Sequence, residues 1–286
     1  MALNIHFFRD NSLPKLDFIK VFEFFDNYPE FSIYYNDDEV EIVYVDNTFN
    51  FSYRYLITKK SRVHGIYKIS PQYGNVNFML EMPILIPTFL AKEILTIAQR
   101  VCKLFELDIY HDSFTDVHPF NLVDVLVLFD NVRRETIEEQ GLGGKIPFNP
   151  DKLNEICKYQ RSIEGLREHY NNELVVNLVV PIISDNNDQF GMSYVYQVGK
   201  QTLFPPHLEY IYVKEDNNSV FLVKAEDFYR ELAKYLDEES HFLPNMYSLK
   251  GRAAKKVRRE IKKLRKLAIN HQGFKPVRLC DVIDIK

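Results

Sequence analysis

The residues best placed to do chemistry are His111, Asp112, Asp116 and His118, in the stretch HDSFTDVHPF. Four candidate ligands or acid–base groups lie together there, just after Leu107–His111, a run that reads as a strand. Histidine titrates near neutrality, and beside a carboxylate it can shuttle a proton or hold a metal. Loops at strand ends are also where scaffolds often carry such groups. The spacing matches no metal-ligand pattern, however, and Asp is equally a turn residue. The four are therefore candidates for a catalytic site, with no metal and no cofactor expected.

A second group is electrostatic. In LKGRAAKKVRREIKKLRKLAINHQG, Lys250–Lys266 carries ten Lys or Arg and one acid, Glu260. The whole chain has 36 basic and 40 acidic residues. Without this segment it keeps 26 and 39, a net of −13 against +9 on the segment itself. At 100° per residue, Ala254, Val257, Ile261, Leu264 and Ala268 form one apolar seam. The cations Lys255, Lys256, Arg258, Arg259, Lys262, Lys263, Arg265 and Lys266 occupy the other half of the cylinder. The pattern predicts a docked helix with a cationic face. Like charges at i, i+3 and i+4 repel by a few tenths of a kcal/mol per pair, so something must compensate. Three answers are open: a helix lying against the protein's own acidic body with its charges merely solvated or paired, a polyanion such as RNA, DNA or the ribosome, and an anionic membrane surface. The segment has no aromatic residue for base stacking; Phe274 follows it.

Other stretches are weaker. GLGGKIPF resembles a phosphate loop, but Lys145 is followed by Ile146 rather than the Ser or Thr that would hold magnesium, so a linker is expected. SDNNDQFG (184–191) resembles a calcium loop in composition only, and reads as a hairpin turn. His207 sits in the Pro-rich TLFPPHLEY. No G-x-S-x-G elbow is present. Cys102, Cys157 and Cys280 are widely separated and odd in number, which fits buried thiols in a reducing compartment better than disulfides or zinc ligands.

The elements that must position these groups follow from periodicity. NIHFF reads as a strand, and Ser12 and Pro14 as the start of a helix with Leu16, Ile19, Phe22 and Phe25 inward. FSIYY, EVEIVYV, TFNFSYRYLI, HGIYKI and NVNFMLEM read as strands. Pro87 and Thr88 open a helix burying Leu90, Ile94, Ile97, Val101 and Phe105. Two further helices flank Gly141–Pro150. Strands ELVVNLVVPII, GMSYVYQVG, EYIYVKED and SVFLVKA follow, then a helix over Glu226–Leu236, the basic helix and a terminal strand within VRLCDVIDI.

The expected fold class is α+β. An N-terminal split β-α-β (ferredoxin-like) sandwich with an antiparallel sheet spans 1–140, a Gly/Pro linker 141–150, and a second α+β domain 151–286 that carries the basic amphipathic helix. One continuous domain is the alternative. The longest apolar run, LVVNLVVPII, is far short of a bilayer span, and the opening MALNIHFFRDNS reads as no signal peptide, so a soluble cytoplasmic protein is expected, with no membrane span. The functional expectation is a non-enzymatic binding protein. Its partner would be RNA, the ribosome or another polyanion, met by Arg252, Lys255, Lys256, Arg259, Lys262, Lys263 and Lys266. The alternatives are capture of a basic protein by the acidic body, as inhibitor or immunity-type proteins do, and an enzyme built on His111–His118.

Overall fold

Along ALNIHFFRD, successive side chains point to opposite faces of a strand, yet Ile5, His6, Phe7 and Phe8 are all buried. Such a run needs cover on both sides, which places it inside a sheet rather than at its edge. The computed structural model, which describes residues 2–185, 189–216 and 219–285, bears this out. Strand β1 (Ala2–Asp10) lies within a seven-stranded sheet of order β2-β3-β4-β5-β1-β6-β7. Its other strands are β2 (Phe31–Tyr35), β3 (Glu39–Asp46), β4 (Phe51–Thr58), β5 (Tyr73–Pro83), β6 (Asp108–Tyr110) and β7 (His118–Pro119), and every pairing is antiparallel.

Three helices accompany the sheet. Helix α1 (Phe18–Asp26) starts later than Ser12 and Pro14 suggest. Ser12 gives its N–H to the Asp10 carboxylate at 2.8 Å, and Leu13 gives its own to the Asp10 carbonyl at 3.1 Å, which closes a turn. The cap is instead Asp17, whose side chain accepts from Ile19 N. Val21 and Phe25 are its buried residues, while Ile19, expected inward, is 68% exposed. Helix α2 (Thr88–Phe105) buries Leu90, Ile94, Val101 and Phe105 as its periodicity requires. Helix α3 (Leu122–Gln140) is capped by Asn121. HGIYKI is not a strand: Gly65, at φ 71°, leads into a single 3-10 turn, Ile66–Lys68.

The chain forms two compact units, Met1–Ile146 with Cys280–Ile283, and Pro147–Leu279 with Asp284–Lys286. Short strand β8 (Ile146–Phe148) follows α3. In the second unit the predicted long helix is two, α4 (Pro150–Arg161) and α5 (Ile163–His169), separated at Ser162. Its main sheet has the order β13-β12-β10-β9-β16, from β9 (Val180–Ser184), β10 (Phe190–Gln197), β12 (Tyr210–Lys214), β13 (Val220–Lys224) and β16 (Phe274–Pro276). β10 and β12 run parallel and the other neighbours antiparallel. A smaller sheet joins β11 (Thr202–Phe204), β14 (Asp237–Glu238) and β15 (Tyr247–Leu249). The first half of ELVVNLVVPII is not strand, because side chains claim its amides: Asn177 N donates to Tyr194 Oη at 2.9 Å and Val179 N to Gln160 Oε1 at 3.0 Å.

Helix α6 (Ala225–Leu232) precedes the basic segment, which is not one helix. It comprises α7 (Gly251–Lys256), α8 (Arg258–Leu264) and a 3-10 turn, Arg265–Leu267, with the break at Val257. A β-branched residue between two turns of like charge is a weak point in a helix. The terminal strand β17 is short, Val282–Asp284. The architecture is thus mixed α+β built largely on antiparallel sheets, and no helix among the described residues is long and apolar enough to cross a membrane.

Candidate functional site

The basic segment is held by its apolar seam. Ala254, Val257, Ile261 and Leu264 are at most 2% exposed and belong to one buried cluster with Tyr196, Phe204, Phe228 and Leu232. Burying Val, Ile or Leu is worth about 1.5–3 kcal/mol each, far more than the repulsion between neighbouring cations. Ala268, expected in the seam, is exposed, since the chain has already left the helix there.

Polar contacts fix both ends. Glu239, 8% exposed, accepts from Tyr170 Oη at 3.0 Å, from Ser248 Oγ at 2.7 Å and from Lys250 Nζ. Burial opposes its ionisation, but the bonds from Lys250, Ser248 and Tyr170 outweigh this and hold its carboxyl below the usual range. Gly251 N donates to Gln201 Oε1, and Ile269 N to the Leu222 carbonyl at 2.9 Å. Glu260, the segment's one acid, is buried and meets Lys234 at 2.9 Å.

The remaining charges divide into two sets. On the flanks, Arg258 meets Asp216 at 3.4 Å, Arg265 meets Glu215, and Lys263 meets Glu231 at 3.6 Å. Between them, Arg252, Lys255, Lys256, Arg259, Lys262 and Lys266 are exposed and have no ion-pair partner among the described residues. Each of these six stands three or four positions from another, so they form one stripe. Of the seven cations expected to form the contact, Lys263 has its acidic neighbour Glu231 at 3.6 Å and the other six have none among the described residues.

The His/Asp loop is differently used. Asp116 Oδ1 accepts from Ser70 N at 3.1 Å and from Val117 N at 2.8 Å, which makes it a loop fastener. His111 Nδ1 accepts from Ser113 N at 3.1 Å, and His118 Nδ1 lies 3.1 Å from the Pro119 carbonyl with its ring against Phe114. Burial pushes the His111 pKa down, against the pull of Asp112 and Glu135. The neighbour that sequence reasoning missed is His6, which stands opposite Tyr110 in the sheet. Burial lowers its pKa to about 4 despite Asp112, and His111, His64 and Arg62 act in the same direction. No group of three or more His, Cys, Asp or Glu among the described residues could hold a metal.

Other singled-out residues have structural roles. Lys145 donates to the Cys280 carbonyl and to Asp281 at 2.6 Å, so the glycine-rich loop presents it to no phosphate. His207 Nε2 lies 2.7 Å from Glu155 Oε2. The three cysteines are buried and none is in a disulfide. Residues 186–188 of SDNNDQFG lie outside the described residues. Its Gly191 is needed for packing, since a Cβ there would come within 2.7 Å of Glu209 Cβ and the Tyr210 ring.

One further feature was invisible in the sequence. A groove of about 690 Å³ in the first unit is lined by Asp10 and Asp108 together with Arg100, Lys103 and Glu106. Gln72 and Ser12 hold the Asp10 carboxyl below its usual range. Burial, and then Asp10, push that of Asp108 up. No local signal could reveal this pair, because β1 and β6 bring it together. No protein-family model, curated protein or solved structure matches the chain.

Proposed function

We propose that the protein is a non-enzymatic, cytoplasmic binding protein of two domains. The first is a split β-α-β (ferredoxin-like) sandwich, and the second contacts RNA through the cationic stripe. The observation that carries the reading is the set of six exposed cations that have no ion-pair partner among the described residues, on a segment whose opposite side is anchored in a core. Among the described residues the protein's own acids reach only the flanking cations, so the central ones face solvent and are open to a polyanion. Phosphates neutralised by Lys and Arg release counterions, so such a contact is strong, salt-dependent and indifferent to sequence. The stripe has no aromatic residue, which agrees with backbone rather than base contact.

Fluorescence anisotropy with labelled RNA tests this. Lys255→Glu, Arg259→Glu and Lys262→Glu together should abolish binding while the thermal melt is retained. With about 0.7 counterions released per phosphate on a single strand, six contacts give a log–log salt slope near −4. Binding that survives the triple reversal rejects the reading.

A second reading has its own observation. Exposed Tyr34 and Tyr35, on edge strand β2, stand beside exposed Asp37 and Asp38. Aromatic side chains flanked by acids suit a basic protein partner. Capture of a cationic protein that is lost with Tyr34→Ala and Tyr35→Ala, and unaffected by the stripe reversals, would favour it.

A further inference from the structure

Resting on the RNA reading of the stripe, we infer that the surface selects a single extended strand over a duplex. The argument comes from what borders the free cations. On one flank Arg258 and Arg265 are tied to Asp216 and Glu215, at the end of the β12–β13 hairpin. On the other, Lys263 is tied to Glu231 of α6. Along α8 the free charge is therefore one helix wide and bordered by carboxylates on both sides, and a helix with its side chains is about 10–12 Å across.

A duplex carries two phosphate backbones separated by grooves about 6–12 Å wide. Laid along the stripe, it would bring its second backbone over Asp216 or Glu231. Inserted into a major groove, the helix would need free cations on both flanks to meet the two backbones, and those positions are the ones its own acids occupy. Placing the helix in the groove of duplex RNA is excluded further by the deep, narrow A-form major groove. A single strand needs only the central row. Its phosphates would follow Arg252, Lys255, Lys256, Arg259, Lys262 and Lys266, with its bases turned to solvent because no ring is there to stack on. Electrostatics alone gives the opposite expectation, since a duplex has the higher charge density and the steeper counterion release. The two ideas therefore differ in sign.

The experiment compares a labelled U12 RNA with a G·C-rich twelve-base-pair RNA duplex, which stays paired at 50 mM salt, by anisotropy with the full chain. The single strand should bind at least tenfold more tightly. The variant Asp216→Asn with Glu231→Gln, checked by circular dichroism for an unchanged melt, should raise affinity for the duplex more than for the single strand and narrow the gap at least threefold. Equal or tighter duplex binding by the native protein, or an unchanged gap in the rim variant, overturns the selection while leaving the RNA reading intact. If neither RNA binds, or if both survive the stripe reversals, the RNA reading itself fails.

Discussion

The His111–His118 loop and the stripe from Arg252 to Lys266 are both dense in ionisable side chains, and they end differently. In the loop, Asp116 and His111 accept hydrogen bonds from backbone amides that no helix or sheet satisfies. In the stripe, the charged groups are donors only, and among the described residues the acids pair with the flanking cations rather than with these six. Short acceptors in turns are used up by their own backbone; long donors on a docked helix are left over. Density of functional groups is therefore a poor guide to a site, and the better question is what remains after the fold has taken its share.

The widest separation between the two sides of the stripe should appear in stability. Leu264→Ala removes a fully buried side chain from the seam and should cost about 2–5 kcal/mol. Arg252→Ala should change stability by no more than about 0.5 kcal/mol. Urea unfolding of the two variants checks this. A large loss from Arg252→Ala would mean that the outward face is part of the fold, and the contrast with the loop would disappear.

Much of this could be anticipated from spacing. The seam at Ala254, Val257, Ile261 and Leu264 and the buried face of α2 follow from helical period, which is a local property of the chain. The start of α1 is not legible locally, because Ser12 and Asp17 are both competent caps and only the Asp10 turn decides between them. The pairing of Arg258 and Arg265 with a hairpin some forty positions upstream is tertiary. So is the meeting of Asp10 with Asp108, which depends on strand order.

Acid provides the next test, on the loop side. His6 is buried with a pKa of about 4, against 6.5 when unperturbed, so the unfolded chain binds the extra proton first as pH falls. Stability should be flat above about pH 6.5 and decline between there and pH 4, by about 3 kcal/mol for this group. His111, also depressed by burial, acts in the same direction. Urea midpoints at pH 7.5 and 4.5 should differ accordingly, and His6→Gln should shrink the difference. A pH-independent midpoint would show that these histidines are already solvated, and therefore available for chemistry.

Within the loop itself, Asp116→Ala leaves the Ser70 and Val117 amides without their acceptor and should cost about 1–3 kcal/mol. Asp112→Ala, at an exposed carboxylate, should be neutral within about 0.5 kcal/mol. If the ranking were reversed, Asp112 would be the structural residue and Asp116 the one left for function.

The smallest expected effect bears most directly on what separates the flank cations from the central ones. Arg258 and Asp216 are both largely exposed, 77% and 69%, and such a pair contributes about 0–1 kcal/mol. Asp216→Asn should therefore leave the melt unchanged. It should also release Arg258 to the solvent side, so that a single strand now meets seven cations and the salt slope steepens from near −4 to near −5. A slope that does not move would mean that Arg258 was already free to contact phosphate while sitting beside its acid. Pairing would then not be what divides the segment, and the stripe would be wider than its six unpaired residues.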